Sequence, residues 1–222
     1  MLKFDILSKL YDMRKQKTIY HFVVDKSGSM EDVLHQTITG YNEQLQQIQI
    51  IQKEFPEQLI AIGLTTFNGQ VDHQYYGVPV DNAEWLSAVK YKPNGSTSLL
   101  DAIGTSVQIL EQQQLLEAPV FDTTFVVIIL TDGYENSSTK FNKEDIRRTI
   151  SRLQETGKWT FSFISATLDA VNIARDMDIR SANSYQFSKD GMKKEVWDKV
   201  SKSVRSYATR KRGGENLDEL YN

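Results

Sequence analysis

The chain has 222 residues, 40% of them hydrophobic, and carries 26 basic against 29 acidic side chains for a net charge of −3. This composition supports one substantial core in a single α/β unit, and the balanced charge leaves no global field to draw the chain to nucleic acid or membrane. The absence of cysteine excludes disulfides and thiolate metal sites and fits a reducing compartment.

In chain order, residues 1–17 read as an N-terminal extension that lacks the uninterrupted apolar stretch of a signal peptide. Residues 19–25 form an almost continuous apolar run, the pattern of a strand buried on both faces of a parallel sheet. Leu34, Ile38, Tyr41, Leu45 and Ile48 then recur at helical spacing. Two strand patterns, 58–67 and 71–76, flank Asn68-Gly69, a hairpin signal that implies an antiparallel edge strand. A helix is predicted over 98–116, a loop over 117–124, and a second buried strand over 125–131. Next come a helix over 143–155 closed by Gly157, a strand over 159–166, a short helix near 170–177 and a short strand near 181–187. Met192, Val196, Val200, Val204 and Tyr207 mark a final amphipathic helix, and 210–222 read as a flexible tail. Alternating strands and helices predict a doubly wound α/β domain over 18–209, with a mostly parallel central sheet and helices on both faces. No run is apolar enough to span a bilayer, and a cytoplasmic location is expected.

The chemistry gathers where strands end. The first buried run closes on Asp25-Lys-Ser27-Gly-Ser29, and the second on Thr131-Asp132-Gly133. Ligands of open α/β sheets bind just beyond the carboxyl ends of such strands, where neighbouring loops converge. Asn94-Gly-Ser-Thr97-Ser, at the start of a helix, offers a third oxygen-rich loop. Carboxylates and hydroxyls aimed at one point suit Mg²⁺, Mn²⁺ or Ca²⁺ better than zinc. A plainer reading stands beside this one: Ser29-Met-Glu-Asp32 also fits a helix N-cap, so the serines could serve only as caps.

Together, Asp25-x-Ser27-x-Ser29, Thr97 and Thr131-Asp132-Gly133 resemble the metal-ion-dependent adhesion site of the von Willebrand factor A family. The flanking residues Val24, Met30, Leu100-Asp101-Ala-Ile103 and Tyr134-Glu-Asn136 are most similar to those of small stand-alone bacterial and phage members. The resemblance covers nearly the whole chain and implies a Rossmann-like fold. It also implies that Ser27, Ser29 and Thr97 coordinate a divalent cation directly or through water, that Asp25 and Asp132 complete the shell, and that a partner's carboxylate fills an open position. Integrin β subunits place two consecutive acids for an adjacent calcium near here; Asp32 matches the first, but Val33 holds the second position, so a second cation is not expected.

The function expected is therefore cation-dependent binding of a protein partner that presents Asp or Glu, with Mg²⁺, Mn²⁺ or Ca²⁺ as cofactor and neither nucleic acid nor membrane as target. The alternative is a metal-dependent hydrolase of phosphatase type, since a strand-terminal aspartate with a cation can polarise a phosphoryl oxygen. Phosphatases of the haloacid dehalogenase type carry a second acid where this chain has Ser27, and no proton shuttle is identifiable. A purely structural domain is the third class, disfavoured because all five ligand positions hold competent residues. Tyr134, Glu135 and Asn136 are expected to border the site and select partners, and Asp101 to bond toward Thr97 or to lie solvated. His21, His35 and His73 share no metal-ligand spacing. In the tail, Gly213-Gly214 precedes Glu215, Asp218 and Glu219, acids that a flexible segment could offer to the site of its own or a neighbouring molecule in self-association.

Overall fold

The computed structural model describes residues 15–165, 170–186, 195–212 and 219–220. Its strands are β1 (Lys15–Asp25), β2 (Leu59–Phe67), β3 (Val71–Pro79), β4 (Phe121–Thr131), β5 (Trp159–Ser165) and β6 (Ser184–Gln186). Its helices are α1 (Leu34–Glu54), α2 (Leu99–Glu117), α3 (Lys143–Glu155), α4 (Ala170–Asp176) and α5 (Glu195–Arg212). The strands form one sheet in the order β3-β2-β1-β4-β5-β6. Among the described strands only the β2–β3 pair is antiparallel, which places the expected antiparallel strand at an edge.

The pleat sends alternate residues to opposite faces. Tyr20, Phe22 and Val24 of β1 join Ile62, Leu64, Val126 and Ile128 under α1 and α5. Ile19 and Val23 join Val127, Ile129, Phe161 and Phe163 under α2, α3 and α4. Both faces of the central strands are covered, which is why their sequences read as continuous apolar runs. Among the described residues no helix is long and apolar enough to cross a membrane.

Several boundaries differ from the sequence expectation. β1 starts at Lys15 and β4 at Phe121, four residues earlier than the apolar runs, so part of the predicted 117–124 loop is strand. The added residues are polar apart from Phe121 and are held extended by pairing across the sheet: Thr18 pairs with Thr124 in the ladder, their hydroxyls 3.2 Å apart. A 3₁₀ turn at Ser181–Asn183 replaces the first half of the predicted strand near 181–187. Trp197, which the helical spacing of the valines does not single out, is 2% exposed at the centre of the α1–α5 contact. It lies against Gly40 so closely that a Cβ there would meet Trp197 Nε1 at 1.9 Å. Gln44 of α1 donates from Nε2 to the Trp197 carbonyl at 3.0 Å and to Ser201 Oγ at 2.8 Å.

The tail contains an anchor. Residues 210–212 belong to α5, and Leu220 is 1% exposed within the α1–α5 core. Its backbone N–H donates to Asn183 Oδ1 at 2.7 Å. Gly213, Gly214, Glu215 and Asp218 lie outside the described residues.

Candidate metal centre

β1 lies beside β4 and β2, and the chain order runs outward from it in both directions, so the carboxyl ends of β1 and β4 border the crevice where α/β sheets take ligands. Asp25 ends β1, Thr131 ends β4, and Asp132 follows directly. The Asp25 carboxylate is fully buried. Thr131 Oγ1 donates to its Oδ2 at 2.6 Å, and the Ser27 N–H donates to its Oδ1 at 2.7 Å. Its main-chain carbonyl accepts from the hydroxyl of buried Tyr91. Burial pushes the Asp25 carboxyl up from 3.8 to about 6, against the downward pull of the Thr131 and Ser27 hydrogen bonds, and the charge of Asp132 adds to the rise.

The serine hydroxyls are not used as caps. Ser27 occupies the N-cap position of a 3₁₀ helix, Gly28–Val33, without a side-chain cap bond, and Ser29 lies inside that helix. Instead Ser27 Oγ lies 3.2 Å from Ser29 Oγ, and Ser29 Oγ donates to Asp132 Oδ1 at 2.5 Å. Backbone bonds fix the loop that carries them: Lys26 N–H to the Phe67 carbonyl at 2.6 Å, Gly28 N–H to Gly95 at 3.1 Å, and Asn94 N–H to Lys26 at 2.9 Å. The same bonds bring the 94–98 loop, with buried Thr97, to the ends of β1 and β2.

Gly133 measures how closely these groups meet. A Cβ built there would lie 3.2 Å from Thr97 Oγ1, 3.5 Å from Ser29 Oγ and 3.7 Å from Asp25 Oδ2. Oxygens from the end of β1 and its loop and from the 94–98 loop thus meet at Gly133 of a third segment, with Ser27 and Asp132 joined to them through Ser29. The donor set is two carboxylates and three hydroxyls, which fits a hard divalent cation. No three His, Cys, Asp or Glu side chains cluster among the described residues, so a cation here depends on the hydroxyls. The cluster opens to solvent at Ser29, which is exposed.

A clamp that sequence reasoning missed holds the neighbouring loop. Asp101 is 5% exposed and turns away from the expected bond to Thr97. Its Oδ1 accepts from the N–H groups of Lys140 and Phe141 at 2.9 Å each, and its Oδ2 from Thr139 at 3.0 Å. Glu135 accepts from the N–H groups of Leu100 at 2.9 Å, Ser137 at 2.9 Å and Ser138 at 2.7 Å, and from Ser138 Oγ at 2.8 Å. Asn136 Oδ1 takes the Thr97 N–H at 2.8 Å, and the Asn136 N–H reaches the Thr97 carbonyl at 3.0 Å. Of the three residues expected to select partners, Glu135 and Asn136 are therefore staples, while Tyr134 stands 59% exposed.

The other candidates have different surroundings. His35 is exposed, as are Glu31 and Asp32. Val33 is buried in the core. His21 is fully buried, bonded through Nε2 to Thr65 Oγ1 at 2.9 Å and stacked on Tyr76 with ring centroids 4.8 Å apart. Burial, with a smaller contribution from His73, holds its imidazole down at about 3, so it is neutral. His73 joins the same group through Thr65 and Tyr76.

The model of the von Willebrand factor type A domain family matches residues 21–190. No curated protein matches the sequence. Among solved structures, the chain superimposes on the pilus adhesin SpaC of Lactobacillus rhamnosus GG with a TM-score of 0.63 at 16% identity, over 87% of this chain and 31% of the adhesin. Proximal thread matrix protein 1 of the mussel byssus, solved with a zinc-occupied MIDAS motif, gives a TM-score of 0.54 at 16% identity, over 87% of this chain and 46% of that one. The manganese-loaded TRAP protein of Plasmodium vivax gives 0.54 at 15% identity, over 81% and 71%. The chain spans less than half the length of the mussel and Lactobacillus proteins.

Proposed function

The chain belongs to the von Willebrand factor type A family, and we propose that it is a divalent-cation-dependent protein-binding module that recognises an Asp or Glu side chain of its partner. The ligands in this reading are Asp25, Ser27, Ser29, Thr97 and Asp132. The observation that carries it is the set of oxygens around Gly133, three of them within 3.7 Å of one point. Cation-bearing relatives of the fold, one with zinc and one with manganese, and the pilus adhesin support it.

A bound Mg²⁺ or Mn²⁺ would supply an electrophilic coordination position at the exposed end of the cluster. The chain's own residues do the rest. Three of the five ligands are neutral hydroxyls, so the two carboxylates balance the cation without an excess of negative charge that would repel an incoming carboxylate. Thr131 and the Ser27 N–H hold the Asp25 carboxylate in one orientation, and Tyr91 fixes the backbone beneath it. Burial of Asp25, Ser27 and Thr97 keeps water from competing on the inner side.

A hydrolase would need a group to move a proton at the site. His21 stands four residues back along β1 from Asp25, ~13 Å at the rise of a strand, and is held neutral by burial. The experiment that separates the two functions is affinity capture from the native host in Mg²⁺ and in chelator, paired with a phosphoester turnover assay. The binding module predicts a partner held only with metal and no turnover. Turnover that Asp25→Ala abolishes, without metal-dependent capture, overturns it.

A further inference from the structure

Beside the cation cluster lies a cleft of about 270 Å³ between the start of α2, the loop after β4, and α4, lined among others by Leu100, Gly133, Tyr134, Ile173 and Met177. Met177 is 1% exposed and belongs to the core under α2 and α4, while Leu100 and Ile173 pack half-exposed against that core. Tyr134 contributes an exposed ring. Both charged groups of the cleft are already engaged. The Glu135 carboxylate accepts its four bonds from Leu100, Ser137 and Ser138, and Lys143 Nζ is paired with Asp176 at 2.5 Å. A polar ligand would find little to bond, whereas an apolar side chain would find carbon.

We propose that this cleft seats an apolar side chain of the same partner segment that offers its acid to the cation, so that the preferred partner pairs Asp or Glu with a large aliphatic or aromatic residue one or two positions away. The inference rests on the cation reading of the neighbouring cluster. Continuity is its first support, because Gly133 lines the cleft and also abuts Thr97, Ser29 and Asp25. A chain that places its acid at the cluster has its next Cα ~3.8 Å further on, which is enough to enter the cleft. Size is the second support: an apolar cavity of ~150 Å³ accepts benzene, so this one accommodates a Leu, Met or Phe side chain. Rigidity is the third. The hydrogen bonds of Asp101, Glu135 and Asn136 fix the wall that carries Tyr134, so little ordering is needed when the cleft fills.

The test uses the full chain and a displayed library of disulfide-closed loops with one fixed Asp among random residues, selected in Mg²⁺. Apolar residues should be enriched one or two positions from the Asp, and binding should disappear in chelator. Affinity for the selected loops should fall roughly 10–100-fold in Ile173→Glu, the effect of losing one buried large side chain. Tyr134→Ser, at a position exposed enough to spare the fold, should weaken binding less, and both variants should keep the wild-type cation affinity. Loops that need Mg²⁺ but show no apolar bias, and that bind both variants as well as wild type, overturn the cleft and leave the cation reading standing. Loops that bind equally in chelator and to Asp132→Ala overturn the cation reading itself. A selection that enriches nothing in Mg²⁺ counts against both. Mg²⁺-dependent dimerisation that Ile173→Glu abolishes would seat a second copy of the chain in the cleft and overturn the partner segment.

Discussion

Ser29 Oγ donates a 2.5 Å hydrogen bond to Asp132 Oδ1 across 103 positions of sequence. The bond joins the loop after β1 to the loop after β4, and Thr131 makes a second junction through its 2.6 Å bond to Asp25 Oδ2. Two strand ends are thus locked together by side chains that would hold the cation and by Thr131 beside them, so the site is assembled by folding. Changes to these groups should therefore be felt first in cation binding and only then in the fold.

Proton and cation compete for Asp25. Its folded value of about 6 lies above its ordinary 3.8. In the cation-free protein the stability linked to this group is therefore fully present below ~pH 4 and is lost as pH rises through ~6. Cation affinity runs the other way. It should fall ~10-fold between pH 7 and pH 5, with close to one proton released per cation at the lower pH. Calorimetric titrations in buffers of different ionisation enthalpy measure both quantities, and a flat affinity across this range would contradict the assignment.

Asp101 and Glu135 are predicted to hold the loop after β4. Asp101→Ala frees three backbone N–H groups, and charge-assisted bonds of this kind contribute ~1.5–3 kcal/mol each before relaxation and water make up part of the loss. A net destabilisation of ~2–4 kcal/mol is expected, with faster amide exchange confined to residues 133–141. Unchanged protection in that loop would show that the clamp is redundant.

His21 should make the protein acid-sensitive. Its folded value of about 3 lies below its ordinary 6.5. The unfolded chain therefore takes up a proton that the native state refuses, and stability falls as pH drops from ~6.5 toward ~3, by up to ~1.4 kcal/mol per unit. In the cation-free protein Asp25 contributes the opposite slope between 3.8 and about 6, so the two partly cancel. His21→Gln isolates the effect. Its unfolding free energy from denaturant titration should lose the His21 slope between pH 4 and pH 6, and a slope equal to wild type would contradict the account.

Leu220 is 1% exposed within the α1–α5 core, so Leu220→Ala should cost ~2–5 kcal/mol in unfolding free energy, the range for a buried leucine. Truncation after Arg212 should cost at least as much. Chemical denaturation of the two variants checks this, and wild-type midpoints would place the segment outside the folded unit.

β1 and β4 were legible because a strand covered on both faces must be apolar over its buried length, and these two runs close on Asp25 and Asp132, which the fold brings to the same crevice. α3 was legible to its last residue. Asn142 and Asp145 bond reciprocally to each other's backbone N–H, and this local capping box announces the start. The polar beginnings of β1 and β4 were not legible, since Lys17, Thr18, Thr123 and Thr124 become strand through pairing with distant segments, β1 with both β4 and β2. Ser27 and Ser29 showed equal fitness as caps and as ligands in sequence; the bond to Asp132, set by tertiary structure, separates the two roles. Asp101 and Glu135 stood out in sequence with other roles, and their clamping role gave no signal, because most of their partners are backbone N–H groups whose positions depend on the tertiary fold. The same holds for the cleft beside Gly133, whose walls come from three distant segments.

The central claim, that Asp25, Ser27, Ser29, Thr97 and Asp132 form one cation site, is tested most directly by calorimetric titration of Mg²⁺ or Mn²⁺ into the wild-type chain and into Asp132→Ala, with circular dichroism confirming that both are folded. The account predicts one cation per wild-type chain and a loss in the variant of more than the ~10–100-fold typical when only a residue behind a ligand is changed. Undiminished binding in a folded Asp132→Ala chain would contradict it.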